Sequence, residues 1–193
     1  MTASDALLGA LADLAVALDA VGRPAMIIGG IAAIARGVPR HTIDVDATVW
    51  APHLDLDEVL RIFGEHRFVP RIPDAARFAE ERQVVLLRHD PSGTPVDLAL
   101  ASLPFEHDAL RRATPVRFGN VVLPVATAED LVIYKAIAWR DRDRSDVERL
   151  VAAHGDSIDL ARVRSLVAQF AAALDEPARI EEFDDLIRRV RGG

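Results

Sequence analysis

Apolar residues recur at helical spacing from residue 4 to residue 21, where Leu7, Leu8, Leu11, Leu14, Ala15 and Leu18 predict an amphipathic helix closed by Gly22 and Pro24. The next run, Ala25-Met26-Ile27-Ile28, is short and wholly apolar and predicts a strand ending on Gly29-Gly30. A short helix over residues 31–36 follows, stopped by Gly37 and Pro39. Residues 43–49 alternate apolar and polar, a strand pattern that turns Ile43 and Val45 toward a core and Asp44 and Asp46 to the other face. Residues 55–65 read as a helix. Residues 83–88 and 95–100 predict two strands of a hairpin, joined by the turn Asp90-Pro91-Ser92-Gly93, and residues 116–118 and 121–123 predict a second pair around Gly119-Asn120. From Thr127 onward the pattern is helical. Thr127-Ala128-Glu129-Asp130 and Ser145-Asp146-Val147-Glu148 both have the form of N-terminal caps, and two further helices fit residues 159–173 and 176–190. The expectation is an α/β (α+β) protein, with a mixed β-sheet flanked by helices over residues 1–125 and a helical part over 126–193 packed on it.

With 193 residues, half of them apolar, such a core needs no covalent staple. The absence of cysteine excludes disulfides, thiolate metal sites and a cysteine nucleophile. The N-terminal stretch lacks a basic start, and no apolar run reaches membrane-spanning length, so the expectation is a cytoplasmic protein without membrane partners. The net charge of −7 opposes a surface built to grip long nucleic acid. Lys135 is the only lysine among the 23 basic residues.

Two carboxylates on one strand face, Asp44 and Asp46, have the donor chemistry of a hard cation such as Mg2+, which is held by one or two carboxylates together with substrate phosphates. A third carboxylate on another strand would allow two metals, and Asp97, flanked by Val96 and Leu98, is the candidate. Glycines at a strand-to-helix junction, here Gly29-Gly30, let the backbone approach a phosphate, although a Gly-Gly turn has a purely structural reading as well. The helix around residues 131–139 is apolar all round, so Lys135 within it needs an anion. A nucleotide triphosphate would serve, as would an acidic neighbour or an escape of the ammonium to the rim. The six histidines show no metal-ligand spacing, and neither a P-loop nor G-x-S-x-G is present.

The run IIGGIAAIARGVPRHTIDVDATVW resembles the signature of nucleotidyltransferases related to DNA polymerase β, in particular the compact bacterial branch of AbiEii-type toxins and aminoglycoside nucleotidyltransferases. The likeness extends over residues 24–100. It implies the nucleotidyltransferase fold, phosphate contacts at Gly29 and Gly30, and Asp44, Asp46 and Asp97 as catalytic metal ligands for Mg2+ or Mn2+. It further implies transfer of NMP from an NTP such as ATP to a hydroxyl acceptor: RNA or tRNA, a protein, or a small molecule. A toxin role with an antitoxin partner is implied too. Arg40 and Thr42 fit the same pattern, Thr42 as a nucleotide contact. The segment from Arg140 to Asp146 is similar to a charged run that follows a helix lysine in the family, which implies nucleotide binding by Lys135 and Asp143. For Asp143 and Asp146 a salt-bridged structural face remains the alternative. The second glycine stands where the family pattern also admits serine, so a phosphate there would rest on backbone N–H groups. The competing reading is a non-catalytic nucleotide-binding module or partner-binding protein of the same fold, against which three clustered carboxylates argue, since they repel one another without metal.

Overall fold

The structure, a computed structural model, describes residues 3–192, so the ends of the expected 1–125 and 126–193 parts lie outside it. The chain divides into two compact units. One runs to Ala32 and resumes over Arg40–Ala126, and the other takes Ala33–Pro39 and everything from Thr127.

The first unit begins with helix α1 (Ala3–Val21), strand β1 (Ala25–Ile28) and helix α2 (Gly29–Ala35), which runs on into the second unit. It continues through strand β2 (Val45–Trp50), helix α3 (Leu56–Glu65), strand β3 (Phe68–Pro70) and helix α4 (Ala75–Arg82). Strands β4 (Val84–His89) and β5 (Pro95–Ala101), helix α5 (Pro104–Arg112), and strands β6 (Thr114–Phe118) and β7 (Val121–Val125) complete it. Among the described residues these seven strands form one mixed sheet in the order β3-β4-β5-β2-β1-β7-β6. The β2–β5 and β1–β7 pairs are parallel and the others antiparallel.

One face of this sheet is the core. Val45, Ala47 and Val49 of β2, Val96, Leu98 and Leu100 of β5, and Val85 and Leu87 of β4 point into it and are buried. His89, on the same face of β4, identifies what covers it: its Nε2 lies 2.6 Å from Asp13 Oδ2 on α1, and its ring packs on Phe68, which in turn packs on Phe63 of α3. The two predicted hairpins are present. Strand β3 and helices α4 and α5 go beyond the sequence pattern. Strand β2 starts at Val45, later than the alternation indicates. Ile43 is 79 % exposed and does not face the core, because the chain before Val45 has no partner strand to fix its alternation.

The second unit contains α6 (Ala128–Ala138), α7 (Asp141–His154), a single 3-10 turn at Gly155–Ser157, α8 (Leu160–Ala173) and α9 (Ala178–Gly192). Thr127 caps α6, its hydroxyl accepting the Asp130 N–H at 3.2 Å. The proposed cap at Ser145 is corrected, since Ser145 lies inside α7. The physical reason is the reversal at Trp139, whose positive φ of 51° ends α6 and lets the next helix begin five residues earlier. There the Asp143 carboxylate accepts the Arg140 N–H at 3.2 Å. Residues 33–39 belong to this unit through α7: Arg149 Nη1 donates to the Pro39 carbonyl (3.2 Å), and His154 Nε2 to that of Arg36 (3.1 Å). Among the described residues no helix is long and apolar enough to cross a membrane.

Candidate functional site

The site of interest follows from strand register. Paired residues in a sheet present their side chains to the same face. Ile28 pairs with Asp46, Asp46 with Asp97, and Asp97 with Leu86. The Arg71 N–H then donates to the Leu86 carbonyl at 2.9 Å. One transverse row therefore reads Arg71, immediately after β3, then Leu86, Asp97, Asp46 and Ile28 on β4, β5, β2 and β1, on the face opposite the core. Neighbouring strands lie about 4.8 Å apart, so register alone brings Asp46 and Asp97 side by side. Asp44 lies just before β2, near enough for its charge to act on Asp97.

Each carboxylate has a partner. Asp46 Oδ2 accepts the N–H of Gly30 at 3.3 Å. Asp44 Oδ1 accepts a short hydrogen bond from the Thr42 hydroxyl. Asp97 Oδ1 accepts from Arg71 Nη2, an ion pair that nothing in the sequence singles out. The signal for it was faint: Phe68-Val69-Pro70 is a three-residue strand carrying a proline, which is characteristic of a sheet edge, and β3 is indeed an edge. Partial burial pushes the Asp97 carboxyl up from its usual range, Arg71 pulls it down, and the negative charge of Asp44 adds to the rise.

The glycines are explained by crowding. Gly29 has φ of +62°, and a β-carbon there would come within 2.0 Å of Asp46 Oδ2. A β-carbon on Gly30 would meet the Thr42 hydroxyl at 2.7 Å and Arg40 Nη2 at 3.2 Å. Helix α2 thus starts directly against the carboxylate row, which a chain with side chains at these two positions could not do.

Asp44, Asp46, Asp97, Gly29, Gly30 and Thr42 are brought together in the first unit, whereas Lys135 and Asp143 lie in the second. Lys135 is only 6 % exposed, and its ammonium sits 2.6 Å from Asp146 Oδ2 and 3.6 Å from Asp143 Oδ1, both aspartates being buried too. Asp143 also accepts from Arg140 Nε at 2.6 Å. The anion that burial of Lys135 demands is supplied inside the helical unit, so burial no longer points to triphosphate at this position.

Carboxylate oxygens in this number suit a hard divalent cation. Among the described residues no three acidic or histidine side chains converge to metal-ligand geometry, and Arg71 holds the third aspartate. By donor chemistry the residues fit such an ion, with the Arg71 pair standing in its way.

A protein-family model described as "Nucleotidyltransferase of unknown function (DUF6036)" matches residues 6–190. No curated protein matches the sequence. Among solved structures, the chain is similar to the solution structure of the antibiotic-resistance factor ANT(2'')-Ia, at 15 % identity and TM-score 0.59 over 96 % of this chain and 99 % of that one. It is similar also to the crystal structure of ANT(2'')-Ia in complex with adenylyl-2''-tobramycin (17 %, TM-score 0.57, 87 % and 98 %). A third likeness is to an antigenic nucleotidyltransferase-like protein from Paracoccidioides brasiliensis (17 %, TM-score 0.52, 90 % and 92 %). At these identities the likeness shows the fold.

Proposed function

The chain belongs to that nucleotidyltransferase family, and from this premise we propose that it moves NMP from an NTP to a hydroxyl acceptor in a reaction dependent on Mg2+, or Mn2+ in its place. The observation that carries this reading is the register pairing of Asp46 with Asp97, with Gly29 following directly on Ile28 in the same row. Asp44, Asp46 and Asp97 would hold the metal, which when bound lowers the pKa of an attacking hydroxyl and steadies the departing pyrophosphate. The protein's own groups do the rest. Thr42 orients Asp44, and the lack of side chains at Gly29 and Gly30 lets helix α2 start against Asp46, whose carboxylate accepts the Gly30 N–H.

Adenylyl-2''-tobramycin bound to ANT(2'')-Ia supports a small hydroxylated molecule as one acceptor class, beside a protein hydroxyl or an RNA end. A toxin role with an antitoxin partner rests on the resemblance in sequence alone. The Arg71–Asp97 pair favours a second reading, a nucleotide-binding module without turnover. The two readings separate on pyrophosphate release from each NTP with Mg2+ and a cell extract. Asp46→Asn should lower that release by at least a hundredfold, on the order of 3 kcal/mol in the barrier, while the melting temperature is unchanged or slightly raised through relief of carboxylate repulsion. Full activity in the purified variant, or no release by the wild type with any NTP, would end the catalytic reading.

A further inference from the structure

We propose that Arg71 is a positioning residue that occupies Asp97 in the nucleotide-free enzyme and yields it when triphosphate arrives, so that the third carboxylate joins the metal site only together with the substrate. The inference rests on the reading that Asp44, Asp46 and Asp97 hold a divalent cation.

The geometry of the pair is that of a fixed base and a movable arm. The Arg71 backbone is tied to β4 by its N–H bond to the Leu86 carbonyl, and Pro70 immediately before it restrains the chain. The register of that bond sets the side chain to cross Leu86 and end on Asp97, the next residue in the row. Asp97 itself cannot withdraw, because it lies between Val96 and Leu98, both fully buried, on a strand paired on both sides. The Arg71 side chain is 31 % exposed and that of Asp97 41 %, but only the arginine carries its charge on a long, flexible stem that can swing it away from the row. Of the two partners, the guanidinium is the one with somewhere to go.

A guanidinium and a divalent cation compete for the same carboxylate oxygens and repel each other at contact distance. Arginine is never deprotonated in a protein, so proton loss cannot relieve this conflict; only movement can. A triphosphate offers the planar fork an alternative set of paired oxygens, which arginine binds in bidentate fashion. The exchange replaces one ion pair by another and leaves Asp97 to the metal. Metal binding and nucleotide binding are then positively coupled through a single side chain. Without Arg71, the three carboxylates would attract metal in the absence of substrate.

The test measures metal alone and nucleotide alone. Mn2+ is titrated without nucleotide and followed by the paramagnetic resonance signal of the unbound ion, for wild type, Arg71→Met, Arg71→Lys and Asp46→Asn. A non-hydrolysable NTP analogue is titrated separately in EDTA. Arg71→Met should bind Mn2+ about tenfold tighter than wild type and the metal-free analogue about tenfold more weakly, with Arg71→Lys between the two in both titrations. Arg71→Gln, which keeps a donor for Asp97 without the charge, should shift Mn2+ affinity in the same direction and replaces the methionine variant if that one fails to fold. Mn2+ affinity unchanged or weakened in the uncharged variants overturns the role of Arg71, as does unchanged binding of the analogue in EDTA. Mn2+ binding absent from wild type and Arg71→Met alike, and no different in Asp46→Asn, overturns the metal site itself and separates that failure from the narrower one.

Discussion

At Gly30 the side chains of Thr42 and Arg40 leave no room for a methyl group: a β-carbon would lie 2.7 Å from the Thr42 hydroxyl and 3.1 Å from the Thr42 β-carbon. Gly30→Ala should therefore destabilise the protein by about 1 to 2 kcal/mol, an overpacking cost, despite the better helix propensity of alanine. Removing the hydroxyl as well, in Gly30→Ala/Thr42→Ala, should recover about 0.5 kcal/mol or more of that loss, a non-additivity expected of residues in contact. Urea denaturation of the four proteins measures it, and strictly additive effects would refute the crowding. Gly29 is the harder case, since its φ of +62° and the overlap with Asp46 act together; Gly29→Ala should cost roughly 2 kcal/mol or more in the same assay. The residues of this site were legible in the sequence where a periodicity spoke for them. Asp46 and Asp97 stand among buried apolar neighbours at period two, and Gly29-Gly30 ends a strand. Arg71 was not legible, because its role comes from the pairing of β3 with β4, and β3 is too short for its pattern to show.

Elements of about ten residues or more followed their apolar periodicity, as α1, α3 and α8 show, and the glycine-containing turns of both hairpins marked their strands. Short elements did not. Strand β3 has three residues and α4 eight, lengths at which a pattern of period 3.6 or 2 is indistinct, and their existence depends on α3 and β4 beside them. The start of α7 was misplaced for a different reason. Ser145 has the form of a cap, but Asp143 does the capping, and the second half of the acidic run serves Lys135 instead. That buried cluster ties α6 to α7, and removing its cation would take from Asp146 an ion pair of 2.6 Å and from Asp143 the longer of its two. Lys135→Met should accordingly lower stability by about 3 kcal/mol or more, and Lys135→Met/Asp146→Asn should regain part of it. Chemical denaturation checks both. A methionine variant of undiminished stability that binds NTP more weakly would instead return Lys135 to the nucleotide.

Over the whole molecule, charge sets a condition on the acceptor. The net charge is −7, and a large share of the arginines are already engaged with acidic neighbours: Arg61 with Glu58, Arg164 with Asp184, Arg162 with Asp130, Arg140 with Asp143 and Arg71 with Asp97. A protein that holds a nucleic-acid chain does so by neutralising several phosphates, and its affinity then falls steeply with salt. Here the guanidiniums that would do this are partnered within the fold, and an acidic surface repels the polyanion at long range. An NTP differs, since it is small and arrives with its own metal ions. Transfer from α-labelled NTP in a cell extract should therefore put label into material that resists nuclease, either protein or small molecule. Raising the salt from about 50 to 200 mM should change the rate by less than about threefold, against the losses of a thousandfold or more expected when many phosphate contacts are made. Nuclease-sensitive label that disappears steeply with salt would show that a local basic groove outweighs the overall charge, and would make RNA the acceptor.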